Sequence, residues 1–498
     1  MKQTKTNNRK NAWMQNKSMG AWMLGCMQNK SMNAWMYGCM QSCKHAVVLS
    51  LLFVSISSAQ FTLPKYEVIT LDNGLTIYLM EKKDVPIISF SAVFDAGAIR
   101  DGEAKGLSSF TAEALKFGTK NYNKTQIDSI FNFYGSSLNT YARLDYSGLY
   151  TQFMKDDIDK LLPVIKDVIT NPTFPEDEIV KRKQRWVAEL DQAKESPRQV
   201  IGAYYNKFLF ADSPYGNPVD GTKKTIEQID RKAITSFYLG NIRSESCAIA
   251  VVGDFDSDQM KSELTKYFAD WRVTSPRLIN DLRNNNKKLN EPAVYLINKD
   301  NARETTFMIG GFGVPMSNPD QIQIDVINTI LGGRFTSWLN DELRVNAGYT
   351  YGARSRFASY RSAGTFYIST FTATKNTEAA IDLTLLTYNR LFENGIDGAT
   401  LNSAKNYIKG QFPPNYETAG SLAGFLTQKY IYGLEDSYIN DFEKTVDGMT
   451  VENANEIIKK YFPKDNLQFV LIGKADDIRE IAKKYGKVIE KNIDEDGF

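Results

Sequence analysis

Residues 248–268, AIAVVGDFDSDQMKSELTKYF, decide the architecture, because their pattern returns near the chain end in residues 469–485, FVLIGKADDIREIAKKY. Each copy opens with an apolar run of strand length, turns at a glycine (Gly253, Gly473), and continues into a helix with aspartate near its start. One such unit is a common fragment. Two of them, each closing a segment of about 200 residues, predict an internal duplication.

Working outward, the first segment reads as strands at 66–71, 75–80 and 87–94, with an Asp72-Asn73-Gly74 turn between the first two. Helices follow at about 106–117, 125–134, 157–171 and 176–195, before the closing strand at 246–252 and a helix at 257–268. The second segment reads as strands at 293–297 and 304–311, a helix at about 321–331 and another ending near Arg344. Strands at 349–357 and 364–372 follow, then the closing strand at 467–472. Clustered strands with long helices, rather than strict alternation, indicate α+β layers. The expected fold is two homologous α+β domains, 62–272 and 293–490, each a mostly antiparallel sheet with helices packed on one face. Residues 273–292 (VTSPRLINDLRNNNKKLNEP), polar and without apolar periodicity, read as the linker.

The remaining N-terminal stretch differs in kind. QNKSMGAWMLGCM (15–27) recurs as QNKSMNAWMYGCM (28–40), and residues 1–45 hold eight of the fourteen methionines and three of the four cysteines. This leader is expected to lie outside the fold. Residues 46–56 (AVVLSLLFVSI) follow a lysine and precede Ser57-Ser58-Ala59, the pattern of a signal peptide at 46–59. The expectation is an exported, periplasmic protein with no membrane attachment after cleavage.

The chain has 498 residues and a single histidine, His45, inside that leader. A mature chain without histidine cannot by itself build a histidine-ligated zinc site, a Ser-His-Asp triad or a Cys-His pair. Residues 1–59 carry seven Lys/Arg and no Asp/Glu, leaving 53 basic and 58 acidic residues, a net charge of −5. Nucleic-acid binding then lacks its electrostatic basis. Cys247, the one cysteine beyond the leader, sits in an apolar strand and reads as a packing thiol.

Residues 106–119, GLSSFTAEALKFGT, resemble the zinc-helix segment of pitrilysin/insulinase-type peptidases, the inverzincins, which carry H-x-x-E-H. Gly106, Leu107, Phe110, Leu115, Gly118 and Thr119 keep the frame. Ser109 stands where the first histidine would be, Ala112 replaces the catalytic glutamate and Glu113 the second histidine. Glu189 lies close to the position of the family's third ligand. The chemistry needs two histidines facing one metal and a carboxylate acting as base. Ser109 and Ala112 supply neither, and two carboxylates without nitrogen ligands make a poor zinc site. No metal or other cofactor is therefore expected in this chain.

SPYGNPVDGT (213–222) and LGGRF (331–335) running to LRVNAGYTY (343–351) extend the resemblance across both segments. It implies that Arg344 and Tyr351, seven residues apart, reach a peptide substrate from the domain without zinc. Tyr349 is the alternative aromatic partner, on the same face as Tyr351 if the segment is a strand. It also implies an edge for an extended peptide near residues 137–141 (SLNTY). The implied function is the non-metal subunit of a two-chain zinc peptidase acting on unfolded peptides. A homologous partner with an intact H-x-x-E-H would carry the zinc. The alternative is a catalytically inert scaffold or peptide-binding protein of the same fold.

Overall fold

The computed structural model describes residues 61–271 and 289–495. The leader, the signal segment, His45 and most of the linker lie outside the described residues. The first half builds a six-stranded sheet from β1 (Glu67–Thr70), β2 (Thr76–Glu81), β3 (Ile87–Phe94), β4 (Asn139–Ala142), β5 (Ser147–Met154) and β6 (Cys247–Gly253), in the order β1-β2-β6-β3-β5-β4. β2 and β6 run parallel and the other neighbours antiparallel. The second half uses β7 (Ala293–Asn298), β8 (Glu304–Phe312), β9 (Arg354–Ser359), β10 (Gly364–Ala373), β11 (Gln468–Gly473) and β12 (Lys487–Asn492), ordered β12-β7-β11-β8-β10-β9.

Five strands correspond one to one: β2, β6, β3, β5 and β4 match β7, β11, β8, β10 and β9. The sixth differs. β1 enters through a hairpin whose Asn73 Nδ2 donates to the carbonyls of Phe268 and Trp271, at 2.7 and 3.0 Å. β12 instead adds in parallel to β7 from the C-terminal end. The expected pair of α+β halves with mostly antiparallel sheets is what the chain forms, but the expectation of helices on one face only is corrected: a helix from the other half covers the second face of each sheet. The duplication read from 248–268 and 469–485 is the β6 and β11 units, each followed by its helix (Ser257–Phe268 and Ala475–Ala482).

The central strands are apolar on both faces for a reason that is not local. One face of the first sheet packs on the first half's own helices, with Ile77, Leu79, Phe90, Ile249 and Val251 in that core. Its other face, carrying Tyr78, Met80, Val93, Ala248, Ala250 and Val252, is covered by Leu422, Ala423 and Leu426 of the Ala419–Tyr432 helix, which belongs to the second half. The relation is reciprocal. The Pro197–Phe210 helix of the first half places Val200, Ile201, Tyr204 and Tyr205 against Ile297, Met308, Val470 and Ile472 of the second sheet. Buried Tyr205 donates its hydroxyl to the Phe366 carbonyl at 2.8 Å. A Cβ on Gly310 would stand 2.8 Å from that hydroxyl and 2.0 Å from Phe366 O, so only glycine allows this approach.

Polar contacts finish the joint. Arg361, in the β9–β10 turn, donates through Nη1 to Asp95 at 2.9 Å and through its backbone N–H to Asp145 at 3.0 Å. Tyr215 donates to the same Asp145 at 3.0 Å and accepts from the Ser362 N–H at 3.0 Å. Burial opposes ionisation of Asp95, yet Arg361 and Arg100 together hold its carboxyl below the ordinary range. The described residues from Phe61 onward form one compact unit. Among them, no helix is long and apolar enough to cross a membrane.

Candidate functional site

The Leu107–Ala114 helix carries Ser109, Ala112 and Glu113. Its start is fixed by buried Asp101, which accepts from the backbone N–H of Gly106 and of Ser108, both at 2.8 Å. Burial pushes the Asp101 carboxyl up to about 7 despite these two donors. Gly106 has φ +90°, and a Cβ there would lie 2.8 Å from the Gly221 Cα. The 213–222 loop is thereby laid across the helix start. Ser109 donates its hydroxyl to the Val219 carbonyl at 2.7 Å, and Trp186 Nε1 donates to the Asp220 carbonyl at 3.1 Å. Phe110 stacks on Trp186, with centroids 5.3 Å apart. Segments singled out separately in the sequence therefore meet at one place.

Glu189 comes from the Glu176–Ala193 helix beside it, and Arg182 of that helix stands between the two glutamates. Arg182 Nε donates to Glu113 at 2.6 Å, and Nη1 and Nη2 donate to the two Glu189 oxygens at 3.0 Å each. Its guanidinium also lies 4.4 Å from the Trp186 ring centroid. Burial works against its charge, and the two carboxylates outweigh that and raise its pKa further. A fixed cation thus fills the gap between the two carboxylates, and the Ser109 hydroxyl proton is committed to a carbonyl. This donor set does not fit zinc. Among the described residues, no group of three or more His, Cys, Asp and Glu is placed to hold a metal ion.

Arg344 and Tyr351 line a single cavity of about 930 Å³ in the second half. Arg344 sits on the π-helical turn Asp341–Asn346, its guanidinium 4.4 Å from the Phe335 ring centroid. Tyr351 is 84% exposed and stacks on Phe371 of β10. The strand expected at 349–357 begins only at Arg354. Side-chain hydroxyls take the ladder's place upstream. Thr350 Oγ1 accepts from the Gly352 N–H at 3.2 Å, and Thr370 Oγ1 donates to the Gly352 carbonyl at 2.9 Å. Without strand alternation, Tyr349 and Tyr351 do not share a face. Tyr349 packs against the second-half core, while Tyr351 faces the cavity.

The LGGRF segment noted in the sequence supplies Gly332, Gly333, Arg334 and Phe335 to the lining, whereas Arg198, Arg354 and Arg356 escaped the sequence reading. Arg198, Arg334, Arg354 and Arg356 join Arg344 there, with Tyr367, Phe371 and Tyr407 among the aromatics. The alternation in RSRF (354–357) was the available signal, since it puts both arginines on one face of a strand. The edge expected at 137–141 is present as β4, the last strand of the first sheet.

Two family profiles match consecutive parts of the chain. The one described as insulinase (peptidase family M16) covers residues 77–223, and the one described as peptidase M16 inactive domain covers 228–408. An uncharacterized zinc protease of Rickettsia bellii is 27% identical over 62% of this chain and 74% of its own length. The zinc protease PqqE of Helicobacter pylori is 24% identical over 78% of this chain and 90% of its own. Among solved structures, a peptidase M16 inactive domain from Pseudomonas fluorescens aligns with a TM-score of 0.77 at 23% identity, covering 82% of this chain and 98% of that one. A protease from Helicobacter pylori aligns at 0.75 and 22% identity, over 82% and 100%.

Proposed function

The chain belongs to the insulinase-type peptidase family M16, and from that membership we propose that it is the subunit that works without a metal of its own in a two-chain zinc peptidase. A homologous partner with an intact H-x-x-E-H supplies the metal and the general base. This chain closes a chamber around an unfolded peptide and presents Arg344 and Tyr351 to it. The guanidinium offers several fixed N–H donors and the phenol one O–H. Aimed at a peptide carbonyl, they hold the substrate and stabilise charge that develops on its oxygen. Export to the periplasm, through a signal at 46–59, belongs to the same reading.

The observation that carries the reading is an asymmetry between the two sites. At the first, Arg182 pairs with both Glu113 and Glu189. At the second, Arg344 has no carboxylate within 4 Å among the described residues, and Tyr351 is exposed. A chain serving only as a scaffold has no need to keep this pair open toward a cavity. The test is co-expression with a homologous H-x-x-E-H chain, followed by assay of each chain alone and of the complex on a flexible peptide. The complex is expected to cleave where this chain alone does not. A partner equally active with and without this chain contradicts the proposal.

A further inference from the structure

The cavity that holds Arg344 and Tyr351 has a charge pattern that the handling of a generic peptide does not require. Five arginines line it (Arg198, Arg334, Arg344, Arg354, Arg356) and no aspartate or glutamate does. Among the described residues, three other cavities mix signs and a fourth is lined by glutamates without a basic residue. The one beside Arg182 contains Glu113, Asp128 and Glu189 as well as lysines and arginines. Partial neutralisation comes from outside the lining. Glu304 lies 3.6 Å from Arg198, an exposed pair of little strength, and Asp325 feels the charge of Arg356. Arg344, Arg354 and Arg356 have no carboxylate within 4 Å among the described residues.

Three of the guanidiniums lie over aromatic rings. Arg198 lies 3.8 Å from the Phe371 centroid, Arg344 4.4 Å from Phe335, and Arg334 5.7 Å from Tyr407. Stacking leaves the N–H edge of a guanidinium available, and that edge matches a planar carboxylate in two parallel hydrogen bonds; Arg334 already spends Nη1 on the carbonyl and hydroxyl of Ser403, at 3.3 and 3.0 Å. Arg354 and Arg356 project from the same face of edge strand β9, both exposed. Gathering unpaired like charges in a concave space costs stability unless an anion enters.

We infer that this cavity selects acidic segments of extended peptide, with Arg354 and Arg356 as specificity-determining residues and the stacked arginines as further carboxylate donors. The inference rests on the peptide-binding part of the function proposed above and adds the substrate class. Two observations favour a peptide over a nucleic acid. The cavity is concave and contains the residues assigned to the peptide carbonyl, and the chain beyond residue 59 is net acidic, which weakens attraction to a polyanion.

The test uses this chain alone and three labelled flexible peptides of one length, bearing Glu, Gln or Lys at the same positions. The Glu peptide is expected to bind about tenfold more tightly than the Gln peptide at low salt, and the Lys peptide most weakly. The Glu advantage should shrink as ionic strength rises. In R354Q/R356Q the Glu-to-Gln ratio should fall toward one, while R354K/R356K, which keeps the charges, should retain most of it. Equal binding of the Glu and Gln peptides overturns the inference, as does an unchanged ratio in R354Q/R356Q. A single-stranded oligonucleotide of matched charge that binds more tightly than the Glu peptide also overturns it. Because the readout is binding to the isolated chain, a complex without joint peptidase activity would remove the subunit proposal and leave this selectivity standing or falling by itself.

Discussion

The ring of Tyr351 stacks on that of Phe371, centroids 6.5 Å apart and planes inclined by 27°. Phe371 also meets Arg198, whose guanidinium is 3.8 Å from its centroid. Arg198 arrives on the Pro197–Phe210 helix of the first half, whereas Tyr351 and Phe371 belong to the second. The crossed helix that covers the second sheet therefore also helps to build the cavity. Packing and site are linked through one phenylalanine.

If Phe371 orients Tyr351, its loss should act on the site without unfolding the chain. In Phe371→Ala, activity with the partner is expected to fall several-fold, less than for loss of the Tyr351 hydroxyl itself. A steady-state assay of kcat/KM checks this. Wild-type kcat/KM with unchanged peptide binding would show that Tyr351 needs no platform.

Arg361 is the polar link between the halves. In Arg361→Ala the Asp95 carboxylate loses one of its two arginine partners, whereas Asp145 keeps the backbone N–H of residue 361 and the hydroxyls of Tyr215 and Tyr432. Removing one partner of a largely buried pair costs roughly 3 kcal/mol. Asp95 is held below its ordinary pKa, so its contribution is present above about pH 4 and is lost as pH falls through the folded value. Denaturant titration should show a large loss for Arg361→Ala near neutrality and a smaller one in acid.

Asp101 carries the opposite sign. Its folded pKa, about 7, lies above the ordinary aspartate value, so the folded chain binds the extra proton. From this group, stability falls as pH rises from about 4 to about 7. In Asp101→Asn that slope disappears, while one of the two backbone N–H bonds at the helix start is lost. Melting temperatures should show wild type ahead of Asp101→Asn at about pH 5, with the gap narrowing by about pH 8. A gap that widens with pH would contradict the assignment.

Arg182 is the residue on which the non-zinc reading of the first site depends. Arg182→Ala removes three charge-assisted hydrogen bonds and a stack on Trp186, an expected loss of about 1–3 kcal/mol. Thermal unfolding with and without added zinc is the check. Lower stability not restored by zinc is expected. Full restoration by zinc would mean that Glu113 and Glu189 form a metal site masked by the arginine.

Much of this was legible in the sequence, for local reasons. The β6 and β11 units declare themselves through continuous apolar runs followed by a glycine and a helix start. The frame of 106–119 predicts the helix where it stands, and Gly106 takes the positive φ that its tight contact with Gly221 demands. The crossed helices at Pro197–Phe210 and Ala419–Tyr432 were not read as pieces of the other half's core. Small residues such as Ala419, Gly420, Ala423 and Gly424 give weak periodicity, and the surface they cover is distant in sequence. Residues 349–353 read as strand from alternating tyrosines, but Thr350 and Thr370 redirect the backbone through contacts no local pattern reveals. Of the cavity arginines, Arg344 and Arg334 stood in segments singled out in the sequence while Arg198, Arg354 and Arg356 did not, and only the turn of the chain from Arg334 to Arg356, with Arg198 crossing over, brings them together.

The central claim is that Arg344 and Tyr351 act on a substrate cleaved with a partner's metal. The most direct measurement is kcat/KM for a flexible peptide in the purified complex, comparing wild type with Arg344→Ala and Tyr351→Phe. A fall of about a hundredfold in each, with the complex still intact by gel filtration, is the predicted result. Wild-type rates for both variants in an intact complex would contradict it.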